Sequence, residues 1–319
     1  MSAVFMFPGQ GSQFVGMGRE VYENFAGSRD VFHEVDEVLG RSLSKIIFEG
    51  PEEVLTATDN AQLALMTVSM AVVKAVESVF GMPLNKIAKY VVGHSVGEYA
   101  AMCAAGVIEL STTAKLLDIR SSAMSEASKQ CPGGMVALVG GSMVDVESVV
   151  RKASELGKCE IANDNCVGQV VVSGDNKALE SLQHFSKDTA VKRVIRLKVS
   201  GPFHSSLMGF AHDKLKDFIS TLDFNTPSVG IVYNVSASEH KDSSEVKDLI
   251  ARQVVSKVRW RESIEYLILR GCSEFVEVGP GEVLTGLLRR IDASVRGMNV
   301  CDANSVNNLP QFIETGEFC

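Results

Sequence analysis

The feature that most constrains this chain is the stretch 90–105. Tyr90-Val91-Val92 is a short apolar run without polar alternation, the mark of a strand buried on both faces. It leads straight into Gly93-His94-Ser95-Val96-Gly97, and residues 98–105 then have high helix propensity up to Gly106. A strand that becomes a helix within five residues needs a very tight turn. Glycine on either side of the serine removes the side chains that such a turn would crush. The turn lifts the Ser95 hydroxyl to the tip of a sheet. It also aims the N-terminus of the following helix, with its unpaired N–H groups and partial positive charge, at the charge that develops when that hydroxyl attacks. Gly-x-Ser-x-Gly in this setting predicts a nucleophilic serine and acyl chemistry. The competing reading is a plain strand–helix turn whose serine caps the helix.

Such a turn requires a sheet, and the flanking sequence supplies one. Residues 4–7 read as a buried strand ended by Pro8-Gly9-Gln10-Gly11. Helices are expected from about Phe14, over 28–48, from Pro51, over 61–80 and over 110–127. Strand, helices, strand, helix, helix is the order of a mostly parallel sheet covered by helices. The middle differs. Strands at 135–139, 159–162, 169–173 and 191–199, with helices at 144–156 and 177–185, give the β-α-β-β-α-β order of a ferredoxin-like unit. We therefore expect an α/β protein with a large domain, residues 1–128 and 200–319, and an inserted subdomain, residues 129–199. Cys131-Pro132-Gly133-Gly134 and Ser200-Gly201-Pro202 are the expected hinges. The large domain resumes with a helix from about Ser206, a strand at 230–235, helices at 245–253 and 260–269, a strand at 274–278, and a helix to Ile291 after Gly279-Pro280-Gly281. The polar tail beyond Arg296 is expected to be mobile.

Bulk properties exclude several roles. A net charge of −8 over 319 residues disfavours nucleic acid as a partner. The seven cysteines are odd in number, scattered, and show neither C-x-x-C nor finger spacing, so reduced thiols in the cytoplasm and no metal site are expected. The N-terminus lacks the basic start of a signal peptide, and its apolar run is too short for one. The longest apolar stretch, 61–73, contains Gln62, Thr67 and Ser69 and is too short to span a bilayer, so no membrane partner is expected.

A nucleophilic serine needs a base. Of the six histidines, His94 adjoins Ser95, but neighbours in a tight turn point apart. His33, His184 and His212 lie in polar helical contexts, and His240 in a charged loop. His204 follows Gly201-Pro202-Phe203, after a strand and before a helix, where open α/β sheets keep their chemistry. The glycine turns at Gly9 and Gly279 each lack the third glycine of a dinucleotide fingerprint. The first can instead supply an oxyanion donor. Arg120 sits inside an apolar helical stretch, either snorkelling to the surface or presenting a fork to a carboxylate.

Taken in order, Phe7-Pro8-Gly9-Gln10-Gly11-Ser12-Gln13, Gly93-His94-Ser95-Val96-Gly97-Glu98-Tyr99, Arg120, Asn163-Asp164-Asn165, Gln169-Val170-Val171, Pro202-Phe203-His204-Ser205, Arg252-Gln253 and Glu277-Val278-Gly279-Pro280-Gly281 resemble the malonyl-CoA:acyl carrier protein transacylases across residues 4–291. The resemblance implies a hydrolase-like α/β domain with a ferredoxin-like insertion. It also implies [acyl-carrier-protein] S-malonyltransferase activity for fatty acid elongation, through a malonyl-serine intermediate on Ser95. It makes His204 the general base and then the acid, and the N–H groups of Gln10 and Val96 the oxyanion hole. Arg120 is the partner of the malonyl carboxylate. Gln253 orients His204 through its main-chain oxygen, with no triad aspartate, and Asn165, Phe203 and Met124 complete the substrate-binding set. Val96 stands where relatives commonly carry leucine. This matters little for a main-chain donor. Phe203 is the choice associated with malonyl over methylmalonyl, though shape alone discriminates a methyl group by only about 1–3 kcal/mol. Malonyl-CoA and acyl carrier protein are the expected partners, and no cofactor is expected. Lys192, Arg193, Arg196 and Lys198, or Arg289 and Arg290, are the candidate docking residues for an acidic carrier. The alternatives are a serine esterase or thioesterase, a stand-alone acyltransferase of a polyketide pathway, and a non-catalytic carrier-binding module.

Overall fold

The computed structural model describes residues 3–314 and contains two sheets. Their strands are β1 (Ala3–Phe7), β2 (Ala88–Gly93), β3 (Gly133–Gly140), β4 (Cys159–Cys166), β5 (Gln169–Asp175), β6 (Val191–Arg196), β7 (Gly230–Tyr233), β8 (Ser238–Glu239), β9 (Glu274–Val278) and β10 (Arg296–Val300). The larger sheet runs β10-β9-β1-β2-β7-β8 and is parallel except for the short β7–β8 hairpin at one edge. Every residue of β1 and β9 is buried, as strands covered on both faces require. In β1, Phe5 and Phe7 meet the core under the helices Thr58–Phe80, Gly97–Ala104 and Leu110–Gln130. Val4 and Met6 meet Trp260, Ile264, Leu284 and Leu288 on the opposite side.

The smaller sheet, β4-β5-β3-β6, is antiparallel. Its two faces go to different places because side chains alternate along a strand. Val136, Leu138, Val170 and Val172 pack against the helices Met143–Ser154 and Asn176–Phe185. Met135, Ala137 and Val171 face the other way and join the main core. The end of β4 is tied to the larger unit: Val258 donates its N–H to Ala162 O at 2.8 Å, and Asp164 donates its N–H to Val258 O at 3.0 Å.

Several sequence expectations are corrected. The helix expected from Phe14 is a run of turns until Arg19–Asn24. The helix expected over 28–48 breaks into Ala26–Leu39 and Leu43–Glu49, because Gly40 takes a left-handed conformation at φ 62°. The helix Thr58–Phe80 is 23 residues, long and apolar enough to cross a bilayer, and 72% of its most apolar window is buried inside the fold. β6 stops at Arg196; beyond it Leu197, whose N–H still donates to Met135 O at 3.0 Å, and Val199 line a cavity. Residues 296–314 of the tail are ordered, with β10 on the edge of the larger sheet followed by the helix Ala303–Glu314. Val306, Leu309 and Ile313 anchor that helix in the main core. Their helical spacing was diluted by the asparagines between them. Cys319 lies outside the described residues; the other six cysteines are free thiols.

Candidate active site

The turn between β2 and the helix Gly97–Ala104 is as tight as its glycines require. A Cβ on Gly93 would stand 2.0 Å from the carbonyl carbon of Gly97, and one on Gly97 2.1 Å from the carbonyl oxygen of Phe7. Ser95 itself is left-handed, at φ 53°. Its N–H donates to Asn234 Oδ1 at 2.8 Å, and Asn234 Nδ2 donates to Gly93 O at 2.6 Å. A side chain just after β7 thus pins both sides of the turn. The loop after β1 lies against it: His94 donates its N–H to Phe7 O at 3.0 Å, and a Cβ on Gly9 would meet His94 O at 2.8 Å. This approach brings Gln10 beside Ser95, and Gln10 and Val96 line the same cavity.

Ser95 Oγ lies 2.6 Å from His204 Nε2, and His204 Nδ1 lies 2.9 Å from Gln253 O. A carbonyl oxygen only accepts, so Nδ1 carries the ring proton and donates it. Nε2 is left with a lone pair to accept the Ser95 hydroxyl proton. The residue holding the ring is neutral, so no anion supports an imidazolium. Burial, reinforced by the nearby Arg120 charge, drives the His204 pKa down from its ordinary value to about 3. The ring is held as a neutral base.

Arg120 does not snorkel. It comes from the helix Leu110–Gln130 and is 1% exposed. Its Nη1 donates to Gln62 Oε1, and its Nη2 donates to Gln253 Oε1 at 3.0 Å and to Ser95 Oγ at 3.3 Å. Its Cζ sits 5.1 Å from the centre of the Tyr99 ring. None of these partners is an anion, and Nε has no hydrogen-bond partner. A buried cation surrounded by neutral acceptors is primed for a carboxylate.

These groups open onto a cavity of about 160 Å³. Met124 and Phe203 line it beside Ser95 and His204, and Asn165 lines it from the end of β4. Asn165 also bonds His94 Nε2 at 2.9 Å, which turns that imidazole away from Ser95. His33, His184, His212 and His240 are absent from its walls. Lys192, Arg193, Arg196, Lys198, Arg289 and Arg290 are exposed. Arg290 also bonds Gln169 Oε1, joining the helix Val283–Ile291 to β5. Among the described residues no cluster of three or more His, Cys, Asp or Glu could hold a metal ion.

Four residues of this assembly escape a reading of the sequence for roles: Gln62, Glu98, Tyr99 and Asn234. The available signal was polarity where burial is expected, as with Gln62 inside an apolar helix. That signal marks a polar residue for a partner without saying which one.

The chain is similar to known proteins in sequence and in fold. The family described as "Acyl transferase domain" matches residues 4–310. The malonyl CoA-acyl carrier protein transacylase of Bacillus subtilis is 39% identical over 311 residues, covering 97% of this chain and 96% of that protein. The acyl-carrier-protein-S-malonyltransferase structure from Bartonella henselae superposes with a TM-score of 0.93 at 44% identity, covering 98% of this chain and 100% of that one. A malonyl-transacylase solved in complex with a type II PKS acyl-carrier protein superposes with a TM-score of 0.91 at 32% identity, covering 99% of this chain and 100% of that one.

Proposed function

The chain belongs to the acyl transferase domain family, within it to the malonyl-CoA:acyl carrier protein transacylases, and from this we infer that it transfers malonyl from malonyl-CoA to acyl carrier protein for fatty acid synthesis. The observation that carries the chemistry is the convergence of Ser95, a neutral His204 and a buried Arg120 without an anion on one cavity.

In the first half-reaction Ser95 Oγ attacks the malonyl thioester carbonyl as its proton passes to His204 Nε2. The N–H groups of Gln10 and Val96 hold the oxyanion. The C–S bond breaks, and the imidazolium returns the proton to the departing coenzyme A thiolate. The product is malonyl-Ser95. In the second half the carrier's phosphopantetheine thiol gives its proton to His204 and attacks the ester. Ser95 leaves and recovers the proton. Gln253 keeps the imidazole oriented through its carbonyl, which makes a triad carboxylate unnecessary. Arg120 takes the free malonyl carboxylate in its fork and so separates malonyl from acetyl groups. Phe203 and Met124 bound the acyl pocket, and Asn165 contributes from the small sheet. The chemistry is complete without metal or cofactor.

In this reading residues 1–128 and 200–319 form a hydrolase-like domain and residues 129–199 a ferredoxin-like insertion, supported by the strand order β4-β5-β3-β6 with a helix after β3 and another after β5. The exposed cations on β6 and at the end of the helix Val283–Ile291 are the surface offered to an acidic carrier. We place the enzyme in the cytoplasm, in keeping with its free thiols.

The test is intact-mass measurement after mixing with malonyl-CoA. The expected result is a stable malonyl adduct on Ser95, absent from Ser95→Ala, discharged quickly by holo carrier protein and slowly by water. Rapid discharge by water alone makes the protein a hydrolase. No adduct at all leaves it a carrier-binding module.

A further inference from the structure

Glu98 follows the nucleophile by three residues and is fully buried behind it, and the mechanism above does not use it. Its Oε2 accepts two donors: Gln253 Nε2 at 2.7 Å and the N–H of Asn234 at 3.1 Å. These two residues hold the rest of the site. Asn234 pins the turn through the Ser95 N–H and Gly93 O. Gln253 supplies the carbonyl that orients His204, and its side-chain oxygen accepts from Arg120 Nη2.

The direction of the Gln253 amide is therefore decisive. As placed, its nitrogen faces two acceptors, Glu98 Oε2 and Ser95 O at 2.9 Å, and its oxygen faces the Arg120 donor. Flipped, it would set its NH₂ against the guanidinium and its oxygen against two acceptors. We propose that Glu98 is a positioning residue that locks the Gln253 amide and Asn234 from behind, and through them aims Arg120 at the substrate carboxylate and holds the Ser95 turn. The proposal rests on the reading of Arg120 as the carboxylate site.

The charge state fits that task. Glu98 makes no ion pair, and its Oε1 has no partner. The charged or titratable groups around it are Arg120 from the helix Leu110–Gln130, Tyr99 on its own helix and Tyr233 on β7. Burial outweighs the hydrogen bonds from Gln253 and Asn234 and the attraction of Arg120, and raises the Glu98 pKa from the ordinary carboxylate value to about 8. At neutral pH it is an uncharged acid, and it leaves the Arg120 charge free for the substrate. Above pH 8 it ionises, offsets that charge, and weakens binding of any acyl group that carries a carboxylate.

The test compares Glu98→Gln and Glu98→Ala with the wild type, using malonyl-CoA and acetyl-CoA, with folding checked by thermal melts. Glu98→Gln has the shape of the neutral acid and keeps one acceptor. It should load malonyl within about threefold of wild type at pH 7. Wild-type KM for malonyl-CoA should rise severalfold from pH 7 to 9, the acetyl KM should not, and Glu98→Gln should lack the rise. A folded Glu98→Ala should lose tenfold or more of its malonyl-to-acetyl preference. A folded Glu98→Ala with that preference intact overturns the proposal, as does a malonyl-specific rise that persists in Glu98→Gln. Failure of the underlying reading is seen separately, as a wild type with no preference for malonyl to lose.

Discussion

Replacing Arg120 with alanine tests the proposal that its fork distinguishes malonyl transfer from general acyl chemistry. The guanidinium is 1% exposed, and its present partners are Gln62 Oε1, Gln253 Oε1 and Ser95 Oγ. A malonyl carboxylate entering the cavity would meet the fork in a setting almost free of water. Truncating one side of a buried, hydrogen-bonded charge pair costs about 2–5 kcal/mol. At about 1.4 kcal/mol per tenfold, kcat/KM for loading Ser95 from malonyl-CoA should fall roughly 30- to 4,000-fold. Acetyl has no carboxylate. From it the variant removes the long 3.3 Å contact to Ser95 Oγ and the support given to Gln253 and Gln62, about 0.5–1.5 kcal/mol, or roughly 2- to 12-fold. The assay is rapid-quench acylation with each thioester, read as the mass of the acylated enzyme. Arg120→Lys keeps the charge without the fork and should fall between alanine and wild type for malonyl. Equal losses on malonyl and acetyl would refute the assignment, because a fork that served only to shape the site would injure both alike.

Two further outcomes follow from the same geometry. His204 is held neutral, with its pKa near 3 rather than at the ordinary value of about 6.5, so the rate of Ser95 acylation should stay flat from pH 7 down to pH 5. A decline centred near pH 6.5 would show an ordinary histidine and sink the argument. By linkage, a depressed base costs stability on acidification, because the unfolded chain binds a proton below about 6.5 that the folded chain refuses. In Gly97→Ala the added Cβ would stand 2.1 Å from the main-chain oxygen of Phe7, with backbone on both sides. It should lose about 3 kcal/mol or more by urea denaturation, and an unchanged midpoint would contradict the packing described for the turn.

Much of the fold was legible because its determinants are local. The turn at Ser95 is written in two glycines four residues apart, and β1 and β2 in short apolar runs. The errors are local too. Gly40 was passed over as a helix breaker, and the asparagines of the tail hid a helix that Val306, Leu309 and Ile313 hold in the core.

The site divides along the same line. From the residues alone, Ser95 was a nucleophile and His204 a candidate, and Arg120 stood open between a surface cation and a carboxylate fork. The remaining roles came from likeness to a family. What placed these groups together is the path of the chain. Arg120 meets Gln253 across 133 residues, Ser95 meets His204 across 109, and Glu98 meets Asn234 across 136. A tight turn or a buried strand leaves its mark within a few residues, because sterics and alternation act over that range. A hydrogen-bond partner leaves none, because a buried amide needs only some donor or acceptor of the right sense. The tertiary structure alone decided that Gln253, held by Glu98, would be the one to join the base to the fork.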